Sequence, residues 1–107
     1  MGAEFDASRI DETIHGRLRL GIMAFLSAVH DASFAELKQK TGASDGNLSV
    51  HLRKLEEAGY VAVEKQFVNR KPQTRAALTD QGRTAWMTYL DQLRSLLETA
   101  PPDTDKG

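Results

Sequence analysis

At 107 residues the chain has room for one domain with a real core, yet it is small enough to gain from a partner. It contains no cysteine, which excludes disulfide staples and thiolate metal sites, and no apolar run approaches the roughly 20 residues that span a bilayer. The formal net charge is −1, but residues 34–75 hold eight Lys/Arg against five Asp/Glu (+3), while residues 1–33 and 76–107 each hold three against five (−2). A local cationic patch is therefore the feature to look for, since the total charge gives no blanket affinity for a polyanion. The opening MGAEFDASRIDE is polar and acidic, unlike a secretory leader, so the expected compartment is the cytoplasm, away from any membrane.

Residues 1–9 are expected to be a flexible start, residues 10–99 the domain, and residues 100–107 a disordered tail after Pro101-Pro102. Ile14, Leu18, Ile22, Phe25, Leu26 and Val29 recur at three-to-four spacing and predict a first helix over Ile10 to Val29. Leu20 and Met23 give that helix a second apolar face, and Gly16 and Gly21 weaken it or mark a neighbouring helix close by. A second helix runs from about Phe34 to Lys40, with Ser33 and Glu36 placed for a capping box and Thr41-Gly42 as the stop. Ser44 caps a third helix, which Gly59 ends. Two helices joined by so short a glycine-containing turn form a helix-turn-helix candidate.

Tyr60 to Phe67 carries Val61, Val63 and Phe67 at period two, as a half-buried strand would. Val68 to Thr74 reads as a loop interrupted by Pro72, and Arg75 to Leu78 returns as a shorter strand. Thr79 caps a last helix over about Asp80 to Thr99.

On a wheel of 100° per residue, Leu48, Leu52 and Leu55 of the third helix cluster toward a core. Gly46, Asn47, Ser49, Val50, Arg53 and Lys54 take the outward half. These side chains suit a duplex: Asn for adenine edges, Ser for several bases, Val for a thymine methyl, Arg for guanine or phosphate, Lys for phosphate. Gly46 would let the backbone approach closely, and the free N–H groups after Ser44 suit a phosphate. Any amphipathic helix has a polar outer face, so this pattern alone does not decide. The segment after the strand adds Asn69, Arg70, Lys71, Gln73 and Arg75, three cations and two amides with no acid among them.

Ser49-Val50-His51-Leu52-Arg53-Lys54-Leu55-Glu56-Glu57-Ala58-Gly59-Tyr60-Val61 resembles the recognition-helix signature of bacterial winged-helix regulators of the MarR/ArsR type. Asp45-Gly46-Asn47-Leu48 resembles a MarR-like subgroup of small winged-helix proteins, and Leu78-Thr79-Asp80-Gln81-Gly82-Arg83 is similar to that family's strand-to-helix junction. The likeness spans about residues 14–97. It implies an α+β winged helix-turn-helix: a three-helix core, a β-hairpin wing and a long C-terminal dimerisation helix. It further implies a third helix in the major groove of double-stranded DNA and a wing on the adjacent minor groove or backbone. On that resemblance Asn47, Ser49, Val50 and Arg53 would read bases, with Lys54, Arg70, Lys71 and Arg75 on phosphate. There are departures. Val50 stands where many relatives carry Arg, Ala76-Ala77 make a thinly packed wing, and the cysteines that hold metal in the ArsR branch are missing.

Neither catalytic residues nor a cofactor or metal are expected. His15 and His30 fall at opposite ends of the first helix, and His51 borders the core face of the third, suited to a structural or phosphate hydrogen bond. No Gly-x-Ser-x-Gly elbow or glycine-rich phosphate loop occurs.

Trp86, Leu90, Leu93 and Leu97 repeat at four, three and four residues, with Tyr89 and Leu96 beside them. With Ile14 and Leu18 of the first helix, Trp86, Tyr89, Leu90, Leu93 and Leu97 form the candidate interface of a homodimer. The expected function is a DNA-binding transcriptional regulator, a repressor on an inverted-repeat operator. The alternative is a winged-helix protein–protein interaction module, which should expose apolar surface on the third helix or wing, where Val50 is the one large outward apolar residue expected. A small-molecule effector between helices one and four, lined by Trp86, Met87 and Tyr89, is a further reading.

Overall fold

The computed structural model describes Ser8 and residues 10–98, so the flexible start (Ser8 apart) and the tail expected from the sequence lie outside the described residues. Helix α1 spans Arg17–Ser27, much shorter than the periodicity suggests. Gly16 is its N-cap, in extended conformation, and residues 10–15 form a separate turn in which Ile14 and His15 donate to the Asp11 carbonyl. Ile14 is fully buried from that turn, which is why it matches the helical spacing without being helical. His15 and His30 consequently both lie outside the helix.

Strand β1 is only Ala32–Ser33, and Ser33 at once becomes the N-cap of α2 (Phe34–Thr41). Its hydroxyl accepts from the Glu36 N–H while the Glu36 carboxylate accepts from the Ser33 N–H, so both capping-box bonds are made. Helix α3 covers Asp45–Glu57, with the Ser44 hydroxyl accepting from the Asn47 N–H. It ends in a Schellman turn: Tyr60 N–H donates to the Leu55 carbonyl and Gly59 N–H to that of Glu56, with Gly59 at φ +85°.

Strands β2 (Val61–Val68) and β3 (Lys71–Leu78) make an antiparallel hairpin, with β1 on the other edge of β3 in the order β1-β3-β2. The returning strand is thus eight residues long and includes Pro72, where the sequence suggested a loop. The register explains the tolerance. Val68↔Lys71 closes a two-residue turn, so Phe67↔Pro72 is the next, non-hydrogen-bonded pair and the Pro72 nitrogen faces away from β2. Strand β1 reaches only Arg75 and Ala76, so no partner there needs the missing N–H.

Helix α4 spans Asp80–Glu98. Thr79 caps it, accepting from the Gly82 N–H and donating to the Gly59 carbonyl, which fastens the start of α4 to the end of α3. Ile22, Met23 and Leu26 of α1, Leu37 of α2, Leu48, Leu52 and Leu55 of α3, Val61, Ala76 and Leu78 of the sheet and Tyr89 of α4 form one core. The winged-helix architecture expected from the sequence is the one observed.

Candidate nucleic-acid interface

Burying Leu48, Leu52 and Leu55 fixes the rotation of α3 and sends its other side outward. Gly46, Asn47, Arg53 and Lys54 are exposed, Val50 is 47% exposed, and Ser49 is half-buried. Ser44 is also exposed, its hydroxyl occupied by the cap. Asp45 pairs with Lys38 of α2 at 2.9 Å, so part of the acid's charge beside this face is answered locally.

Only the base of the hairpin is covered by helices. The four pairs from Lys65↔Thr74 to Val68↔Lys71 extend about 13 Å beyond it. At the tip Asn69 and Arg70 have φ of 54° and 68°, both positive as a type I′ turn requires. Arg70 occupies a position that usually favours glycine, at a cost of about 1–2 kcal/mol, and presents a cation at the outermost point. A groove of about 690 Å³ separates wing from helices, lined by Lys38, Asp45 and Ser49 on one wall and by Val68, Lys71, Pro72, Gln73 and Thr74 on the other.

Asn69, Arg70 and Lys71 are exposed, whereas Gln73 and Arg75 are half-buried. Arg75 is engaged: it donates to Asp31 at 2.6 Å and to Gln73 at 3.1 Å, tying the wing to the segment before β1. Its hydrogen bond holds the Asp31 carboxyl below the usual carboxylate range.

A protein-family model for the winged helix DNA-binding domain matches residues 18–97. The chain belongs to that family. This winged-helix protein is 35% identical over 79 residues to an uncharacterized protein of Methanocaldococcus jannaschii, a match covering 74% of this chain and 86% of the other. Its structure is similar to that of a transcriptional regulator homologue from Pyrococcus horikoshii (TM-score 0.77, 31% identity, covering 82% of this chain and 87% of that one). It is also similar to a candidate MarR-family transcriptional regulator from Enterococcus faecalis (TM-score 0.68, 28% identity, covering 81% and 77%). The protein is a MarR-like winged-helix regulator of the DNA-binding class.

Behind the recognition face, the winged-helix protein holds α3 with a contact that residue spacing could not reveal. Arg19 Nη1 donates to His51 Nδ1 at 2.9 Å while its Nε donates to the Thr13 carbonyl at 2.6 Å. A guanidinium only donates, so His51 must be neutral and carry its proton on Nε2. Burial, then the Arg19 and Lys54 charges, lower the His51 pKa. The Tyr60 hydroxyl donates to Asp11 at 2.5 Å, and burial with that hydrogen bond pushes its pKa up to about 12. His15 Nδ1 and the Tyr89 hydroxyl share a hydrogen bond of 2.9 Å.

Several sequence-derived residues have other surroundings than expected. Ile14 (0% exposed) and Tyr89 (1%) are covered within the protomer and have no surface to lend a partner. Leu18, Trp86 and Leu93 are half-buried, Leu90 and Leu97 exposed. Trp86 stacks on Tyr89 with ring centroids 5.8 Å apart, while Met87 is 65% exposed, so the three residues suggested for an effector cavity diverge. Phe67, expected to be half-buried, is 78% exposed, because its strand runs off the helices before reaching it. Val68 is exposed too, so Val50 is not alone among outward apolar side chains of helix and wing. Lys65, exposed on β2, is a further wing cation, hidden in the sequence by its place within a strand pattern. Among the described residues no group of three or more His, Cys, Asp or Glu could hold a metal, and no helix is long and apolar enough to cross a membrane.

Proposed function

We propose that this regulator is a repressor that binds an inverted-repeat operator as a two-fold homodimer, with each α3 in a major groove. The observation that carries this reading is the outward row Gly46, Asn47, Val50, Arg53 and Lys54 on α3, together with a wing that exposes Lys65, Arg70 and Lys71. A groove parts the wing from the helices, with Lys38 and Ser49 on one wall and Lys71 on the other. A phosphate strand would lie in that groove, with Lys38, Lys71 and Gln73 on its walls, while Ser44, the first N–H groups of α3 and Asn69 would meet neighbouring phosphates. Asn47, Ser49, Val50 and Arg53 read base edges, while Lys54, Arg70 and Lys71 grip phosphate. Arg75 serves the wing through Asp31 before it serves DNA. A bound dimer represses by covering its operator.

An adaptor that binds another protein would use the exposed Phe67 and Val68. The cations around them match a polyanion better.

Selection of bound fragments from random duplexes tests the proposal. The recovered sites should be inverted repeats with half-site centres 34–36 Å apart or a multiple of that, as successive duplex turns require. On such a site Arg53→Ala should cost roughly 1–3 kcal/mol and relax the preference at one base pair. Recovery of no enriched sequence, or of a site lacking two-fold symmetry, refutes the assignment.

A further inference from the structure

Phe67 is the most exposed large apolar side chain among the described residues, at 78%, and it lies on the wing two positions before the turn. Its neighbours are specific. Across the hairpin it pairs with Pro72, on the face that also carries Val61, Val63, Ala76 and Leu78, where the sheet meets the helices. In a non-hydrogen-bonded pair the two side chains approach closely, so Phe67 and Pro72 form one stiff apolar edge where that face runs past the core. Lys65 precedes it on the same face, and Arg70 and Lys71 follow it. Pro72 and Lys71 also line the groove that separates the wing from α3, which places this edge beside the surface already assigned to a duplex.

Water gains nothing from an exposed phenyl ring, and three flanking cations oppose its burial against an ordinary apolar protein patch. A polyanion with an apolar interior answers both features. In DNA the base stack lies behind phosphate walls, and the minor groove, about 6 Å wide, admits a hairpin's side chains but not the hairpin itself. Phenylalanine and proline are among the side chains that wedge between base steps from that side, kinking the duplex by roughly 20–90°.

We infer that Phe67, backed by Pro72, inserts into the minor groove flanking each half-site and partly unstacks one base step, so that the protein bends its operator. Specificity then extends to a position where α3 makes no contact, with a preference for pyrimidine–purine steps, which unstack most readily. The inference rests on the reading of the chain as a duplex-binding regulator.

The test uses the full chain and a duplex recovered by selection, labelled at both ends with a donor–acceptor pair and carrying 2-aminopurine at successive flanking positions. Wild-type protein should shorten the end-to-end distance and raise 2-aminopurine emission several-fold at one step per half-site. Phe67→Ala should abolish both signals and weaken binding about tenfold with an unchanged salt dependence, whereas Phe67→Leu, still a wedge, should keep most of the bend. Because the ring is exposed, the alanine variant should fold as the parent does. If the wild type binds without bending or unstacking, or Phe67→Ala bends the duplex equally, the wedge is overturned and Phe67 is left to a protein contact. If the wild type binds no selected duplex, the regulator reading itself fails and the wedge with it.

Discussion

His51 joins the recognition helix to the rest of the molecule through one acceptor nitrogen. Arg19 can donate to Nδ1 only while the ring is neutral, and the same guanidinium holds the Thr13 carbonyl, so one proton controls a tether between α3 and the turn before α1. Burial and the adjacent charges of Arg19 and Lys54 lower the His51 pKa in the folded protein below its ordinary 6.5. The unfolded chain therefore takes the proton more readily, and this residue's contribution to stability is present above pH 6.5 and declines as pH falls through and below it. Thermal unfolding between pH 7 and pH 5 should show the wild type losing more stability than His51→Gln, whose amide oxygen accepts from Arg19 without titrating. Parallel curves for the two proteins would remove His51 from the tether. Asp31, whose pKa is also lowered, loses its contribution only in more acidic solution, below about 3.8, and does not blur this comparison.

Elements legible in the sequence are those whose ends are written in local chemistry. Ser33 with Glu36, Ser44, Gly59 and Thr79 each satisfy backbone groups within a few residues, so α2, α3 and the start of α4 lie where those residues put them. Elements held by distant partners were not legible. The turn at 10–15 depends on Tyr60, Tyr89 and Arg19, and mimics a helix by supplying Ile14 to the core. Two-residue β1 is too short to show a period, and the alternation in β2 cannot tell where the sheet leaves the helices, which is why Phe67 fits the pattern of a half-buried position and is nevertheless exposed. Two helical glycines make the same point energetically. A Cβ on Gly82 would stand 2.0 Å from the Tyr60 carbonyl oxygen, so α4 could accept it only by moving off the end of α3. A Cβ on Gly21 would meet Thr41 Cγ2 at 3.8 Å, an ordinary contact, so no close helix approach demands that glycine. In denaturant titrations Gly82→Ala should destabilise the protein by about 1–3 kcal/mol. Gly21→Ala should stabilise it by up to about 1 kcal/mol through helix propensity. Equal effects would show that α4 and α3 are not locked at Tyr60.

At the scale of the whole molecule, α4 does two jobs along its length of about 28 Å. Gly82, Ala85, Trp86 and Tyr89 close the core of their own protomer, and Leu93 is the last apolar side chain of α4 packed against it. Trp86, Leu90, Leu93 and Leu97 nevertheless fall within one stripe of about 60°, and the outer part of that stripe, Leu90 at 39% and Leu97 at 76% exposed, is left in water. Burying the stripe against a second copy would cover it and set two recognition helices in two-fold relation. Leu90→Glu with Leu97→Glu removes four leucines from such an interface and adds four charges, while leaving the core residues Trp86 and Tyr89 in place. At roughly 1 kcal/mol per leucine the dimer should weaken by about three decades or more in dissociation constant. Sedimentation equilibrium should then find a dimer for the wild type and a monomer for the variant, with helical content preserved by circular dichroism. The monomer should still bind one half-site, because α3 and the wing are untouched, but should lose the gain in affinity that a full inverted repeat gives over a single half. A wild type that sediments as a monomer, or a variant that distinguishes full sites from half-sites as well as its parent, would show that the exposed leucines of α4 serve something other than pairing.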